Sequence, residues 1–134
     1  MILDSSAVLA ILSDEPERTP MIEALASGSP VQMSAATYLE AAVVVDGRRD
    51  PVLSRRYDEL LDTLGVEVVD VTAAQARRAR EAYRDYGRGS SSPARLNFGD
   101  CFSYALATER GESLLFKGND FVHTDVRRAL NEPA

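Results

Sequence analysis

The sequence contains few of the residues that bind transition metals or transfer protons at neutral pH. Among its 134 residues there is one cysteine, Cys101, and one histidine, His123. A single cysteine cannot form a disulfide within the chain, and one cysteine with one histidine cannot build a typical zinc site. A metal bound by this chain would therefore be held by oxygen ligands, which favours Mg²⁺ or Mn²⁺.

Long apolar segments are also missing. No run approaches the roughly 20 apolar residues that are needed to cross a bilayer, and the N-terminus lacks the basic region of a signal peptide. We therefore expect a cytoplasmic protein with no membrane contact. A length of 134 residues suits a single domain that covers residues 1–134.

Lysine is scarce, and the charge balance is acidic. The formal net charge is −6, and all of the 15 basic residues except Lys117 are arginines. A negative total argues against a nucleic-acid partner, but the distribution matters more than the sum. Several basic residues cluster on one predicted helix and in the glycine- and serine-rich loop after it, and with Lys117 they are candidate RNA-binding residues: Arg77, Arg78, Arg84, Arg88 and Arg95. A solvated helix face explains the helical arginines equally well, and composition predicts that the loop is flexible.

Short apolar segments alternate with helical patterns along the chain. Strands are predicted at the first three residues and within 31–33, 66–71 and 113–116, and the basic tail 126–130 is helix-capable. This alternation predicts an α/β fold with a mostly parallel sheet and helices on both of its faces.

Acidic residues occur where such a sheet would collect them. Asp4 follows the first strand and Asp120 follows the last, and ligand sites of open α/β sheets lie beyond the carboxyl ends of the strands. Asp4 could instead serve only as the N-cap of the next helix. Asp100 lies in the first turn of a helix that Asn97 would cap, where a carboxylate is favoured by the helix dipole with or without a function.

Glu40 lies in a helix, residues 34–46, that is apolar almost all round and is therefore expected to be buried. A buried carboxylate is costly unless it is paired or binds a metal. Pairing with an arginine, or contact with water at the helix edge, are the alternatives. If Glu40 converges with Asp4, Asp100 and Asp120, Mg²⁺ would relieve their mutual repulsion, and a metal-activated water could hydrolyse a phosphodiester.

Four segments in this order carry a resemblance to a known family. They are Ile2-Leu3-Asp4-Ser5-Ser6-Ala7, the stretch 36–40 that ends at Glu40, the stretch 97–105 that begins Asn-Phe-Gly-Asp, and the stretch 114–121 that ends Asn-Asp-Phe. Across essentially the whole chain, the sequence resembles PIN-domain ribonucleases, and most closely the VapC-type toxins of type II toxin–antitoxin pairs.

The resemblance implies a PIN-like three-layer α/β/α sandwich and a Mg²⁺-dependent endoribonuclease, with Mn²⁺ as a possible substitute. By the same resemblance, Asp4 and Asp100 are direct metal ligands, Glu40 binds metal or orients water, Asp120 is the fourth acid, and Ser6 is the supporting hydroxyl. Many relatives carry a further acid at the position of Gly118, so this sequence lacks one oxygen ligand that those relatives could offer to a second metal.

The family also implies a homodimer and a toxin–antitoxin hetero-oligomer, in which a VapB-type antitoxin blocks the acidic groove. The apolar helix faces at 53–64 and 21–25 are candidates for these contacts.

Two other functions fit parts of the sequence. A receiver-like signalling module also gathers acids and binds Mg²⁺, with Asp70 as phospho-acceptor and Lys117 as its lysine. Such a module needs paired acids after its first strand, whereas Ser5 and Ser6 follow Asp4 here. A PIN domain that binds RNA without cleaving it would have no need to bring four acids together.

Overall fold

The computed structural model describes residues 1–130 and contains four strands and six helices in that range. Their bounds in chain order are β1 Ile2–Leu3, α1 Ser5–Leu12, α2 Arg18–Leu25, β2 Gln32–Ser34, α3 Ala35–Gly47, α4 Pro51–Leu64, β3 Glu67–Val69, α5 Ala73–Tyr86, α6 Phe98–Arg110 and β4 Leu114–Leu115. The predicted single domain extends to residue 134, and residues 131–134 lie outside the described part. No helix within 1–130 is both long and apolar enough to cross a membrane.

The four strands form one parallel sheet in the order β3-β2-β1-β4. Ile2 of β1 is in register with Gln32 on one side and with Leu114 on the other. Because all strands run in the same direction, their carboxyl ends meet at one edge of the sheet. The predicted α/β class with a parallel sheet is confirmed.

Adjacent residues of a strand face opposite sides of the sheet, and this alternation separates two layers of core. Leu3 and Leu115 pack with residues of α1 to α4 on one face. Ile2 and Leu114 pack with residues of α5 and α6 on the other. The result is the predicted three-layer arrangement, with helices covering both faces of a central sheet.

Two local expectations are wrong. The tail 126–130 is not helical, because Arg128 forms a parallel bridge with Leu114 and its neighbours hydrogen-bond along β4. Helix α3 is not buried all round, since Leu39 is 62% exposed and Val43 63% exposed. A long apolar run is typical of a core helix, but the run alone cannot show how many neighbours cover it.

Candidate active site

Asp4 is fixed at the end of β1 by hydrogen bonds to both of its carboxylate oxygens. Its Oδ2 accepts from the Ser6 backbone N–H at 3.1 Å and from Ser6 Oγ at 2.6 Å. Its Oδ1 accepts from Ser103 Oγ at 2.6 Å. The residue is only 1% exposed. Asp4 therefore caps α1, as one reading of the sequence predicted, while Oδ1 keeps one lone pair for a further ligand.

A pair of buried hydroxyls stands behind Asp4, and neither was identified from the sequence. Ser103 donates its only hydroxyl proton to Asp4, so the Thr37 hydroxyl, 3.1 Å away, must be the donor to Ser103 Oγ. This directed chain links α3 and α6 to the end of β1. Ser103 follows Asp100 by one helical turn in an otherwise apolar stretch, and that spacing was the signal available in the sequence.

Asp100 occupies the first turn of α6 and completes a capping box with Asn97. The Asp100 N–H donates to Asn97 Oδ1 at 2.8 Å, and the Asn97 N–H donates to Asp100 Oδ2 at 3.0 Å. Burial raises the pKa of the Asp100 carboxyl to about 7, and the nearby charges of Asp4 and Asp120 add to the increase. The Asn97 N–H opposes this shift, but the net effect is a carboxyl that ionises only with difficulty in the absence of a cation.

Glu40 joins this group from α3 through a close approach to Gly99. Its Oε1 accepts from Ser5 Oγ at 2.7 Å. A Cβ placed on Gly99 would lie 1.7 Å from Glu40 Oε2, so the carboxylate occupies the space that any larger residue would fill. Glu40 thus contacts the residue that follows Asp4 in the chain and the residue that precedes Asp100.

Asp120 approaches from the segment after β4, and its charge is close enough to raise the pKa of the Asp100 carboxyl. Gly118 has a φ of +96°, a conformation that favours glycine, and it lies in the turn before Asp120. The Lys117 N–H donates to Ser6 Oγ at 3.0 Å, which ties this segment to the hydrogen bonds around Asp4. Asp4, Asp100 and Asp120 thus interact electrostatically at the carboxyl edge of the sheet, and Glu40 reaches Ser5 and Gly99 beside them.

The donor chemistry of this cluster fits a hard cation. None of the four acids pairs with an arginine or lysine within residues 1–130. In the same range, no three acidic, histidine or cysteine side chains form a ready-made metal cage. Mg²⁺ does not require one, because it usually keeps several waters and binds through one or two carboxylates. The free lone pair of Asp4 Oδ1 and the carboxyl of Asp100 would suffice as direct ligands.

The six candidate RNA-binding residues fall into three groups. On α5, Arg77 and Arg84 are exposed, and Arg78 Nη1 donates to Thr108 Oγ1 at 3.5 Å. Lys117 forms ion pairs with Glu15 and Glu17. The remaining pair, Arg88 and Arg95, lines a cavity of about 520 Å³ that Asp120 also lines.

The receiver-like reading does not fit the sheet order. Asp70 follows the edge strand β3, and Lys117 follows β4 at the opposite edge, with β2 and β1 between them. A phospho-acceptor and its lysine must share one site, so these two residues cannot serve those roles together.

Comparison with known proteins shows the family of this chain. The family model described as PIN domain matches residues 1–127. VapC ribonuclease Mb0625 of Mycobacterium bovis is 56% identical over 131 residues, which cover 98% of each chain. This chain belongs to the PIN domain family, among its VapC ribonucleases. Ribonuclease VapC42 of Mycobacterium tuberculosis is 52% identical over 129 residues, covering 96% of this VapC chain and 98% of that protein.

Solved structures share the fold. VapC20 of Mycobacterium tuberculosis, described as a sarcin-ricin loop cleaving toxin, superposes with a TM-score of 0.71 at 20% identity and covers 94% of this chain and 98% of its own. A toxin–antitoxin complex from Klebsiella pneumoniae gives a TM-score of 0.69 at 18% identity, with 92% of each chain covered. The family and the PIN-like fold predicted from the sequence are confirmed.

Proposed function

We propose that this VapC ribonuclease is the toxin of a type II toxin–antitoxin pair and hydrolyses RNA phosphodiester bonds with a Mg²⁺-activated water. The observation that carries the proposal is the convergence of Asp4, Glu40, Asp100 and Asp120, with no cationic side chain paired to them in residues 1–130. Asp4 and Asp100 are buried, and a buried carboxylate is costly to keep ionised unless it is paired or a cation binds there.

Each acid has a distinct role in this proposal. Asp4 and Asp100 bind the metal directly, and Glu40 and Asp120 bind it or orient its waters. Ser6 and Ser103 hold the Asp4 carboxylate in place through hydrogen bonds to its two oxygens. When bound by these acids, Mg²⁺ would acidify a water and would stabilise charge on the attacking and leaving oxygens. Mn²⁺, which prefers the same oxygen ligands, would substitute.

We further propose that a VapB-type antitoxin binds the toxin and blocks the acid cluster, in the cytoplasm where the RNA substrate is found. A structural neighbour is described as a toxin–antitoxin complex, which supports a partner of this kind. The identity of the antitoxin and of the target RNA depends on contacts outside this chain.

A homodimer through the exposed side of α3 is the final part of the proposal. Leu39, Val43 and Val44 of α3 and Val52 of α4 are exposed apolar residues, and we call this set the α3 surface. Contiguous exposed apolar residues commonly mark an interface. The faces expected from the sequence fit less well. Met21 and Leu25 are buried in the core, and the apolar residues within 53–64 pack against it.

The central test measures RNA cleavage by purified protein freed of antitoxin, with Mg²⁺ and with EDTA. We expect cleavage only with Mg²⁺, and its loss in Asp4→Asn and Asp100→Asn with the fold retained. Asp70→Asn is the matched control. Asp70 is an exposed acid that follows the edge strand β3, which β2 separates from β1, and the variant should keep full activity.

Equal cleavage in EDTA, or an active Asp4→Asn variant, would contradict the mechanism. Tight RNA binding without any cleavage under all metal conditions would instead identify the chain as a PIN domain that binds RNA but does not cut it.

A further inference from the structure

We propose that Arg88 and Arg95 form a built binding site for a backbone phosphate of the RNA, next to the phosphate that is cleaved. The inference rests on the proposed ribonuclease function and concerns where the substrate strand lies. The two arginines, Gly89 and Ser90 line a cavity of about 520 Å³, and Asp120 completes its lining. Because Asp120 is close enough to Asp100 for its charge to act on that carboxyl, the cavity lies beside the acid cluster.

The loop that carries the two arginines is held at its base. The Arg88 N–H donates to the Leu96 carbonyl at 3.0 Å, and the Leu96 N–H donates to the Tyr86 carbonyl at 2.8 Å. Gly87 and Leu96 form an isolated parallel bridge at the same place. The ends of the loop are therefore fixed to each other and, through the buried Leu96, to the core.

Serine hydroxyls organise the interior of the loop. Ser90 Oγ donates to the Gly87 carbonyl at 2.7 Å and accepts from the Ser92 N–H at 3.2 Å. Ser92 Oγ in turn accepts from the Ala94 N–H at 3.2 Å. Composition predicts a flexible loop. In the structure, these hydroxyls hydrogen-bond to backbone groups that have no partner in a regular strand or helix. Its arginines consequently start from fixed backbone positions, which lowers the entropic cost of binding.

Arg95 has an unusual backbone conformation that directs it away from the core. Its φ is +57°, in the left-handed region that residues other than glycine seldom adopt. Its neighbours Ala94 and Leu96 are both buried, so the strained residue between them lies exposed at the surface. Such strain is often retained at binding sites because the surrounding structure enforces it.

Both guanidinium groups are available to an anion. Arg88 and Arg95 are exposed and take part in no ion pair with residues 1–130, unlike Lys117, which is paired with Glu15 and Glu17. A guanidinium presents a planar fork of N–H donors that matches two phosphate oxygens, so two arginines beside one cavity suit a phosphodiester.

The α5 arginines supply the comparison that makes the inference testable. Arg77 and Arg84 are exposed and carry the same charge, but neither lines the cavity beside Asp120. If simple electrostatic attraction governed RNA binding, removal of either pair would have the same effect. If the loop is a built phosphate site, only the loop pair should matter.

The experiment measures binding of a fluorescein-labelled single-stranded oligoribonucleotide of mixed sequence over a range of salt concentrations. Asp4→Asn is the common background, so that the probe is not cut. We expect Arg88→Ala with Arg95→Ala to raise Kd about tenfold and to flatten the salt dependence by about one unit of log–log slope. Arg77→Ala with Arg84→Ala should change Kd little.

Steady-state cleavage in the otherwise unchanged protein separates the outcomes. The loop variant should raise KM more than it lowers kcat, and circular dichroism should be unchanged because both side chains are exposed. Equal losses in the two double variants would overturn the inference, as would a loop variant that weakens antitoxin binding alone. A protein that neither cuts nor binds RNA before substitution would show instead that the proposed function is wrong.

Discussion

The contact between Gly99 and Glu40 shows how one residue can be required for a site without carrying any chemistry. Gly99 lies in α6 with an ordinary negative φ, so alanine would fit the backbone there. Only the Glu40 carboxylate, 1.7 Å from the added Cβ, excludes it. The glycine is therefore needed for space and not for conformational freedom.

We predict that Gly99→Ala separates activity from stability. Alanine should stabilise the helix by up to about 1 kcal/mol, while displacement of Glu40 should lower Mg²⁺ affinity or cleavage by about 10- to 100-fold. Thermal unfolding and the Mg²⁺ concentration for half-maximal cleavage are the two measurements.

Gly47→Ala is the matched control, since it lies at the end of α3 with open space around its Cα. It should keep the activity of the original protein. Full activity in Gly99→Ala would mean that Glu40 contributes nothing from its observed position.

At this scale, the sequence identified the four acids as candidates but not what surrounds them. Acidic residue types at strand ends predicted Asp4 and Asp120 directly. Ser103 and Thr37 could not be paired, because they are 66 positions apart and meet only when α3 packs against α6. The sequence also could not show that Gly99 leaves room for Glu40, because the two residues belong to different helices.

Among the elements, α3 differs most from its sequence pattern. Its N-cap Ser34 was predicted correctly, and its side chain accepts the Ala36 N–H at 3.3 Å. The burial of α3 was predicted wrongly. A run of valines and alanines has the same sequence pattern whether its outer side packs within this chain or is left for a partner. For the loop 87–95, glycine and serine predicted flexibility but could not show that the serine hydroxyls hydrogen-bond within the loop.

If the α3 surface forms a homodimer, Val43→Asp should convert the protein to a monomer. The substitution should leave the fold intact, since Val43 is exposed in the isolated chain, but it would bury a charge at the interface. Size-exclusion chromatography with light scattering measures the mass directly.

Val71→Asp, at an exposed valine beyond β3, should leave the mass unchanged. An unchanged mass for Val43→Asp would exclude this surface as the dimer contact.

At the scale of the whole molecule, alternation of strands and helices was sufficient to predict the architecture. The chain connects its four strands three times, each time through helices. Such connections leave few alternatives to a parallel sheet with helices on both faces. The same topology brings residues 4, 100 and 120 to one edge, so the sequence alone was enough to propose a site there. Side-chain distances, and the free or paired state of each arginine, required the packed structure.

Asp100 connects the site to a dependence on pH. Its pKa is raised to about 7, so the carboxyl holds a proton below that value in the metal-free protein. Mg²⁺ must displace that proton, because the protonated form is a poor ligand. Metal affinity should therefore rise with pH and level off once the pH exceeds the pKa.

The most direct test of the central claim is isothermal titration of MgCl₂ into the antitoxin-free protein, from acidic pH to above pH 7. We expect Mg²⁺ binding that strengthens with pH up to about 7, and that disappears in Asp4→Asn and Asp100→Asn although both variants remain folded. Unchanged Mg²⁺ binding in both variants, or no binding at any pH, would contradict it.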